Sequence, residues 1–171
     1  MANPTLVQLA TTTVGSGGVS SVTFSSIPQT YTDLVIKASA RNTDSGITYF
    51  TLTFNGNTSS YSGIRLEGTG SSSASYSLQT TAGIQPVYID SSTYTANTFG
   101  NSEIYIPNYT SSNYKSLSSD SVSENNATAA NMNMIAGLWS NSSAVTSITL
   151  TSIAGNFVQY SSFYLYGVRN Y

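Results

Sequence analysis

Apolar and polar residues alternate along much of this chain. Phe50, Leu52 and Phe54 are interleaved with Thr51 and Thr53. A period of two is the signature of a strand with one buried face. The same rhythm predicts strands over 19–27, with Val22 and Phe24 against Ser21 and Thr23, and over 32–41, with Leu34, Ile36, Ala38 and Ala40 aligned. Residues 145–153 repeat it, Ile148 and Leu150 alternating with Thr149 and Thr151. Further strands are predicted over 5–14, 47–54, 61–67, 87–89, 99–106, 115–122, 131–139 and 158–168. The 61–67 strand carries Ile64 and Leu66. In 131–139, Met132, Met134, Ala136 and Leu138 share one face, and Ile135 and Trp139 the other; Trp139 reads as core.

Turn chemistry divides these segments. Gly15-Ser16-Gly17-Gly18 predicts an antiparallel hairpin between the first two strands, and Asn55-Gly56 predicts a tight turn before a return strand at 61–67. Residues 68–77, GTGSSSASYS, read as a weakly structured surface loop. The mostly Ser segment 115–122 reads as a strand lying on the surface. Only 124–130 tolerates a helix, of one turn at most. About ten short strands with closely spaced turns indicate an all-β, antiparallel β-sandwich of jelly-roll type, spanning 1–171 as a single domain. Its first residues, 1–14, are either an edge strand or an N-terminal arm that reaches a neighbour.

The last strand breaks the alternation. Phe163 and Leu165 point one way, and Tyr164, Tyr166 and Val168 the other. Either a loop covers the second face or another subunit does, Tyr being enriched at interfaces. Leu6, Val7 and Leu9 in the first strand carry the same ambiguity. These six residues are the candidate contacts with another subunit or a capsid.

Composition narrows the chemistry. Ser, Thr and Asn make up 70 of 171 residues, and only 7% are charged, against about 25% in an ordinary domain. The aromatic content of 12% argues against disorder, and a chain of this size buries about two-thirds of its unfolded surface. Without Cys or His there is no disulfide, thiolate nucleophile, imidazole base or ordinary zinc ligand set. Five basic residues, Lys37, Arg41, Arg65, Lys115 and Arg169, are too scattered for a nucleic-acid groove. No apolar run is long enough to span a membrane as a helix, and Met1-Ala2-Asn3-Pro4 lacks a signal-peptide pattern. No cofactor is expected.

Seven carboxylates remain for catalysis. Asp120 and Glu124 are the best-spaced acid pair, although a solvated turn is the plainer reading. Residues 120–126 offer oxygen ligands for calcium, with few charges to hold it. Asp33 and Asp44 suit capping or turn roles, and Arg65 and Glu67 a modest ion pair along one strand face. The sequons at Asn57, Asn108, Asn126 and Asn141 are no more than this composition yields by chance. Tyr61, Tyr76, Tyr88, Tyr94, Tyr109 and Tyr114 are candidates for a sugar-stacking platform or for subunit contacts. The chain reads as a non-enzyme.

Three stretches carry a resemblance: FSSIPQTYTDLVIKASAR at 24–41, FGNSEIYIPNYTSSNYKSLSSDSVSENNATAANMNMIAGLWSN at 99–141, and ITLTSIAGNFVQYSSFYLYGVRN at 148–170. Their "IPQTYTDL", "IYIPNY", "GLWSN" and "LYG" motifs resemble a family of small virion structural proteins of tailed bacteriophages, chiefly marine and cyanobacterial ones. The resemblance spans nearly the whole chain and is least specific over 57–98. It implies a jelly-roll protein of the virion, assembled in the host cytoplasm. The implied role is that of a capsid cement or decoration protein, a homotrimer bound to the major capsid protein. The alternative is a tail or fibre module binding host surface carbohydrate. The motifs are structural, so no site residues transfer with them.

Overall fold

In the computed structural model, residues 5–128 and 130–169 are described, apart from the side chains of Thr80 and Thr81. Twelve antiparallel strands form two sheets. They are β1 (Leu6–Thr13), β2 (Ser21–Phe24), β3 (Asp33–Ala40), β4 (Thr48–Phe54), β5 (Tyr61–Gly68) and β6 (Ser73–Thr81), followed by β7 (Ile84–Ile89), β8 (Gly100–Ile106), β9 (Lys115–Glu124), β10 (Ala130–Trp139), β11 (Ile148–Ser152) and β12 (Ser162–Val168). The large sheet runs β1-β12-β3-β8-β9-β10-β5-β6, and the small one β2-β11-β4-β7.

Setting β5–β6 and β9–β10 aside leaves β1-β12-β3-β8 over β2-β11-β4-β7, the strand order of an eight-stranded jelly roll. The two extra strand pairs are insertions, and both extend the large sheet beyond β8. The expected sandwich of about ten strands is therefore a jelly roll of eight with four appended.

This topology corrects both hairpins read from turn residues. After β1 the chain crosses to the small sheet, where β2 pairs with β11. The crossing is fastened by Val14 N–H to the Ser161 carbonyl at 2.8 Å and by a bridge between Val19 and Phe157. Asn55 and Gly56 do turn, with φ of 52° and 68°. The turn then hands the chain to the large sheet, where β5 pairs with β10 and β6. Here β4 belongs to the small sheet and the inserted β5 to the large one, so the tight turn redirects the chain without pairing its flanks.

Three local readings are also corrected. The 68–77 loop is a tight turn at Gly70 followed by β6, which pairs back on β5. The 115–122 strand lies inside the large sheet, between β8 and β10, with Lys115, Leu117, Ser119, Ser121 and Ser123 buried. No helix occurs among the described residues of 124–130, which link β9 to β10. The first strand is an edge strand paired with β12 from Leu6–Val168 to Thr13–Ser162, rather than a free arm. Residues 1–4 lie outside the described residues.

The core fills the space between the sheets. Phe163 of β12 meets Phe50 of β4 edge-on at 6.3 Å and Phe157 at 4.9 Å. At the other end Trp139 of β10 lies 5.3 Å from Phe54 and stacks on Tyr61 at 6.1 Å. The inserted strands thus share the jelly-roll core through Trp139 and Tyr61, and Trp139 is core, as its apolar strand suggested.

Candidate interaction face

The appended strands cover the flank of β7, the last strand of the small sheet. One edge of β7 pairs with β4. On its other side, β9 and β10 supply side chains to its backbone. The Tyr88 N–H donates to Ser121 Oγ at 3.0 Å, and Asn133 Nδ2 donates to the Pro86 carbonyl at 2.6 Å. Ser121 Oγ in turn donates to Asn133 Oδ1 at 2.8 Å. Nearby, Asn131 Nδ2 reaches the Tyr94 hydroxyl at 3.2 Å. A buried backbone group must find a partner, and the inward positions of β9 and β10 are Ser and Asn where β7 needs one.

β5 continues this polar interior. Arg65 Nη2 lies 2.7 Å from Glu67 Oε2, with the side chains only 15% and 11% exposed. The guanidinium stacks on Tyr76 at 4.1 Å and faces the Tyr88 ring at 5.9 Å. The expected pair exists, and it is a sheltered one on the inner side. Burial pushes the Tyr88 phenol up to about 12.

Because side chains alternate across a strand, polar inward positions leave apolar residues facing out. Asn133 is 1% exposed, whereas its neighbours Met132 and Met134 are 54% and 55% exposed. Ile64 and Leu66, flanking Arg65, are 56% and 54% exposed, and Val122 is 41% exposed. Register brings these residues together: Met134 stands opposite Leu66, Ala136 opposite Ile64, and Met132 opposite Val122. Between them runs an open groove of about 370 Å³, lined by Ile64, Leu66, Met134, Ala136, Ser118 and Asp120.

Charge borders the groove on one side. Lys37, Glu103 and Asp120 form one cross-strand row leading to Met134. Lys37 Nζ bonds Glu103 at 2.8 Å. That hydrogen bond, then the charges of Glu103 and Asp120, hold the Lys37 ammonium above its ordinary range. Beyond the row the outer face becomes aromatic. Tyr166, Val35 and Tyr105 stand in register, and Tyr164 stacks on Tyr166 at 6.5 Å. Tyr105 donates to Asp33 Oδ2 at 2.7 Å.

Four of the six expected interface residues share this outer face. Leu6 and Val168 are directly opposed, with Tyr166 and Tyr164 following along β12. Val7 stands opposite Gly167 on the inner side, and Leu9 packs on the core beside a register shift between Gln8 and Ala10. Asp120 and Glu124 both point outward from β9, about 13 Å apart along the strand, so they share no cleft. Glu124 Oε1 instead accepts the Asn126 N–H at 2.5 Å. The candidate calcium residues 120–126 therefore begin as strand, and their carboxylates do not converge. Among the described residues, no three acidic side chains gather around a possible metal. Asp33 has the expected turn role, accepting the Asn108 N–H at 2.8 Å.

The tyrosine platform is corrected as well. Tyr61, Tyr88, Tyr94 and Tyr109 are buried, and only Tyr76 and Tyr114 are exposed. A phenol enters a core when its hydroxyl finds a partner. Tyr61 accepts the Phe54 N–H at 2.7 Å, and Tyr109 donates to the Pro28 carbonyl. The sequon asparagines serve turns: Asn57 and Asn141 each accept an N–H two residues on, and Asn108 and Asn126 take positive φ.

Sequence reasoning identified the strands carrying Ile64, Leu66, Met132 and Met134 without finding that they face out. The available signal was the alternation of Met132 and Met134 with Asn131 and Asn133, two amides that bury well only where polar partners meet them. Comparison of the chain with protein-family models, curated proteins and solved structures returned no match.

Proposed function

We propose that this chain is a structural protein of a tailed-phage virion, a cement or decoration protein that docks on the outer head surface. The observation that carries the reading is the apolar face of β9, β10 and β5 turned away from the core. Contiguous exposed apolar surface of this kind marks an interaction site. A jelly roll with few charged residues and an eight-stranded sheet suits attachment to a shell of repeated subunits, here the major capsid protein. The Leu6, Tyr164, Tyr166 and Val168 end of the same face would serve contacts within a homotrimer. A glycan-binding fibre module is the weaker reading, because four of the six tyrosines that were candidates for a stacking platform are buried.

Cryo-EM of phage particles carrying this chain tests the proposal. Density for the jelly roll on the head, with Met134 and Leu66 against capsid protein, is the expected result. Density on the tail or fibres overturns it, and so does head density with this face turned to solvent.

A further inference from the structure

Resting on the reading that the groove is a docking face, we infer that its occupant is a different protein, one presenting an apolar side chain beside a lysine or arginine that reaches Asp120. The argument is one of charge. Glu103 and Asp120 stand directly opposite one another on β8 and β9, and like charges so placed repel. A single ammonium, Lys37, faces both, and its hydrogen bond goes to Glu103. The rim of the groove therefore carries a net negative charge beside Met134 and Leu66.

Among the described residues, a second copy of this chain has no uncommitted cation to bring. Lys37 is engaged by Glu103, and Arg65 by Glu67. Arg41 donates to the carbonyls of Ser92, Tyr94, Thr95 and Thr98 at 2.7–3.2 Å. Lys115 is buried, with its ammonium on the carbonyls of Ser111 and Asn113. Arg169 lies over the Tyr31 ring at 5.1 Å. Because Asp120 itself lines the groove, face-to-face stacking of two copies would draw two Asp120 carboxylates into one apolar contact with only the Lys37 ammoniums, each already bonded to Glu103, to balance them. Burying such charge unpaired is strongly unfavourable. A basic partner removes this cost and gains steering toward the acidic rim.

Two dye-labelled peptides of equal length test the inference, one alternating Leu with Lys and the other Leu with Glu. By fluorescence anisotropy, the Leu/Lys peptide should bind the intact protein at least about tenfold tighter, with the preference weakening as salt rises. Asp120→Lys should reverse the preference with an unchanged circular dichroism spectrum, and Met134→Ser, which removes apolar surface without adding charge, should weaken both peptides. Equal binding, or binding of neither, overturns the inference. A wild-type dimer in sedimentation velocity that Met134→Glu dissolves also overturns it, because a second copy would then cover the groove. Particle attachment separates the two levels. If the peptide preference fails but Met134→Glu still abolishes attachment, only the basic partner is lost. If Met134→Glu attaches like the wild type, the docking face itself is lost.

Discussion

On β12 and β3 the residues facing the small sheet are Phe163, Leu165, Ile36 and Ala38; over the adjoining stretches of β10 and β5 they are Asn131, Asn133, Arg65 and Glu67. Both regions belong to one continuous sheet and both alternate with a period of two. What differs is the surface beneath. Strands β12 and β3 lie over the apolar faces of β4 and β11, so apolar residues point in. The far part of β10 lies beside the flank of β7, whose backbone asks for donors and acceptors, so Asn133 and Ser121 point in. The same alternation then puts Phe163 inside the first region and Met134 outside the second. An exposed methionine on this sheet is the counterpart of a buried asparagine.

Four measurements can break or sharpen this contrast. In the first region, Phe163→Ala should cost about 3–5 kcal/mol in denaturant unfolding, the usual result for a buried aromatic ring; a loss below about 1 kcal/mol would mean that the ring is not a core element. In the second, Asn133→Leu keeps the branching and number of side-chain heavy atoms but strands the Pro86 carbonyl and the Ser121 hydroxyl, and should cost about 1–3 kcal/mol. A gain in stability would show that β7 needs no partner there.

Alkaline pH offers a third probe, smaller because it acts only above the ordinary phenol range. Burial lifts Tyr61 and Tyr88 from 10.0 to about 12, so both phenols keep their protons in the folded chain after the unfolded chain has released them. The unfolded state then binds fewer protons, and stability must fall as pH rises. The contribution is complete below about pH 10 and is lost progressively toward about 12. Urea unfolding on either side of pH 10 should show the decline, and Tyr61→Phe should flatten part of it. The smallest change belongs to the outer face: Leu66→Ser or Met134→Ser should alter the stability of the isolated chain by less than about 0.5 kcal/mol. A larger loss would mean that the apolar face stabilises the single copy.

Strand positions were legible because alternation is local, as at Phe50, Leu52 and Phe54. Pairing was not. Asn55-Gly56 specifies a turn, and only the other sheet determines that Tyr61 leaves to join β10 instead of returning on β4. The Ser run of β9 looked like surface because a serine hydroxyl gives no sign of the backbone it will serve, and Ser121 is fully buried. The Tyr face of β12 was visible in the sequence, since two apolar faces on one strand are unusual. The Met and Leu face escaped because its alternation is regular and carries no mark of direction.

The place of β12 also governs how the chain reaches this structure. Leu6 pairs with Val168, so β1 has no ladder partner until the last of the described strands has been synthesised. β9 and β10 meet across a short connection, as do β5 and β6 across the turn at Gly70. Pairings between sequence-distant strands are slow, whereas local hairpins form early. The β9–β10 and β5–β6 hairpins should therefore form first, and the pairing of β5 with β10 that joins them into one outer apolar face comes later, with closure of the jelly roll. Refolding should show an early phase reporting β9–β10 and a late one reporting Phe163, and incomplete chains would be most prone to stick together in the interval between them.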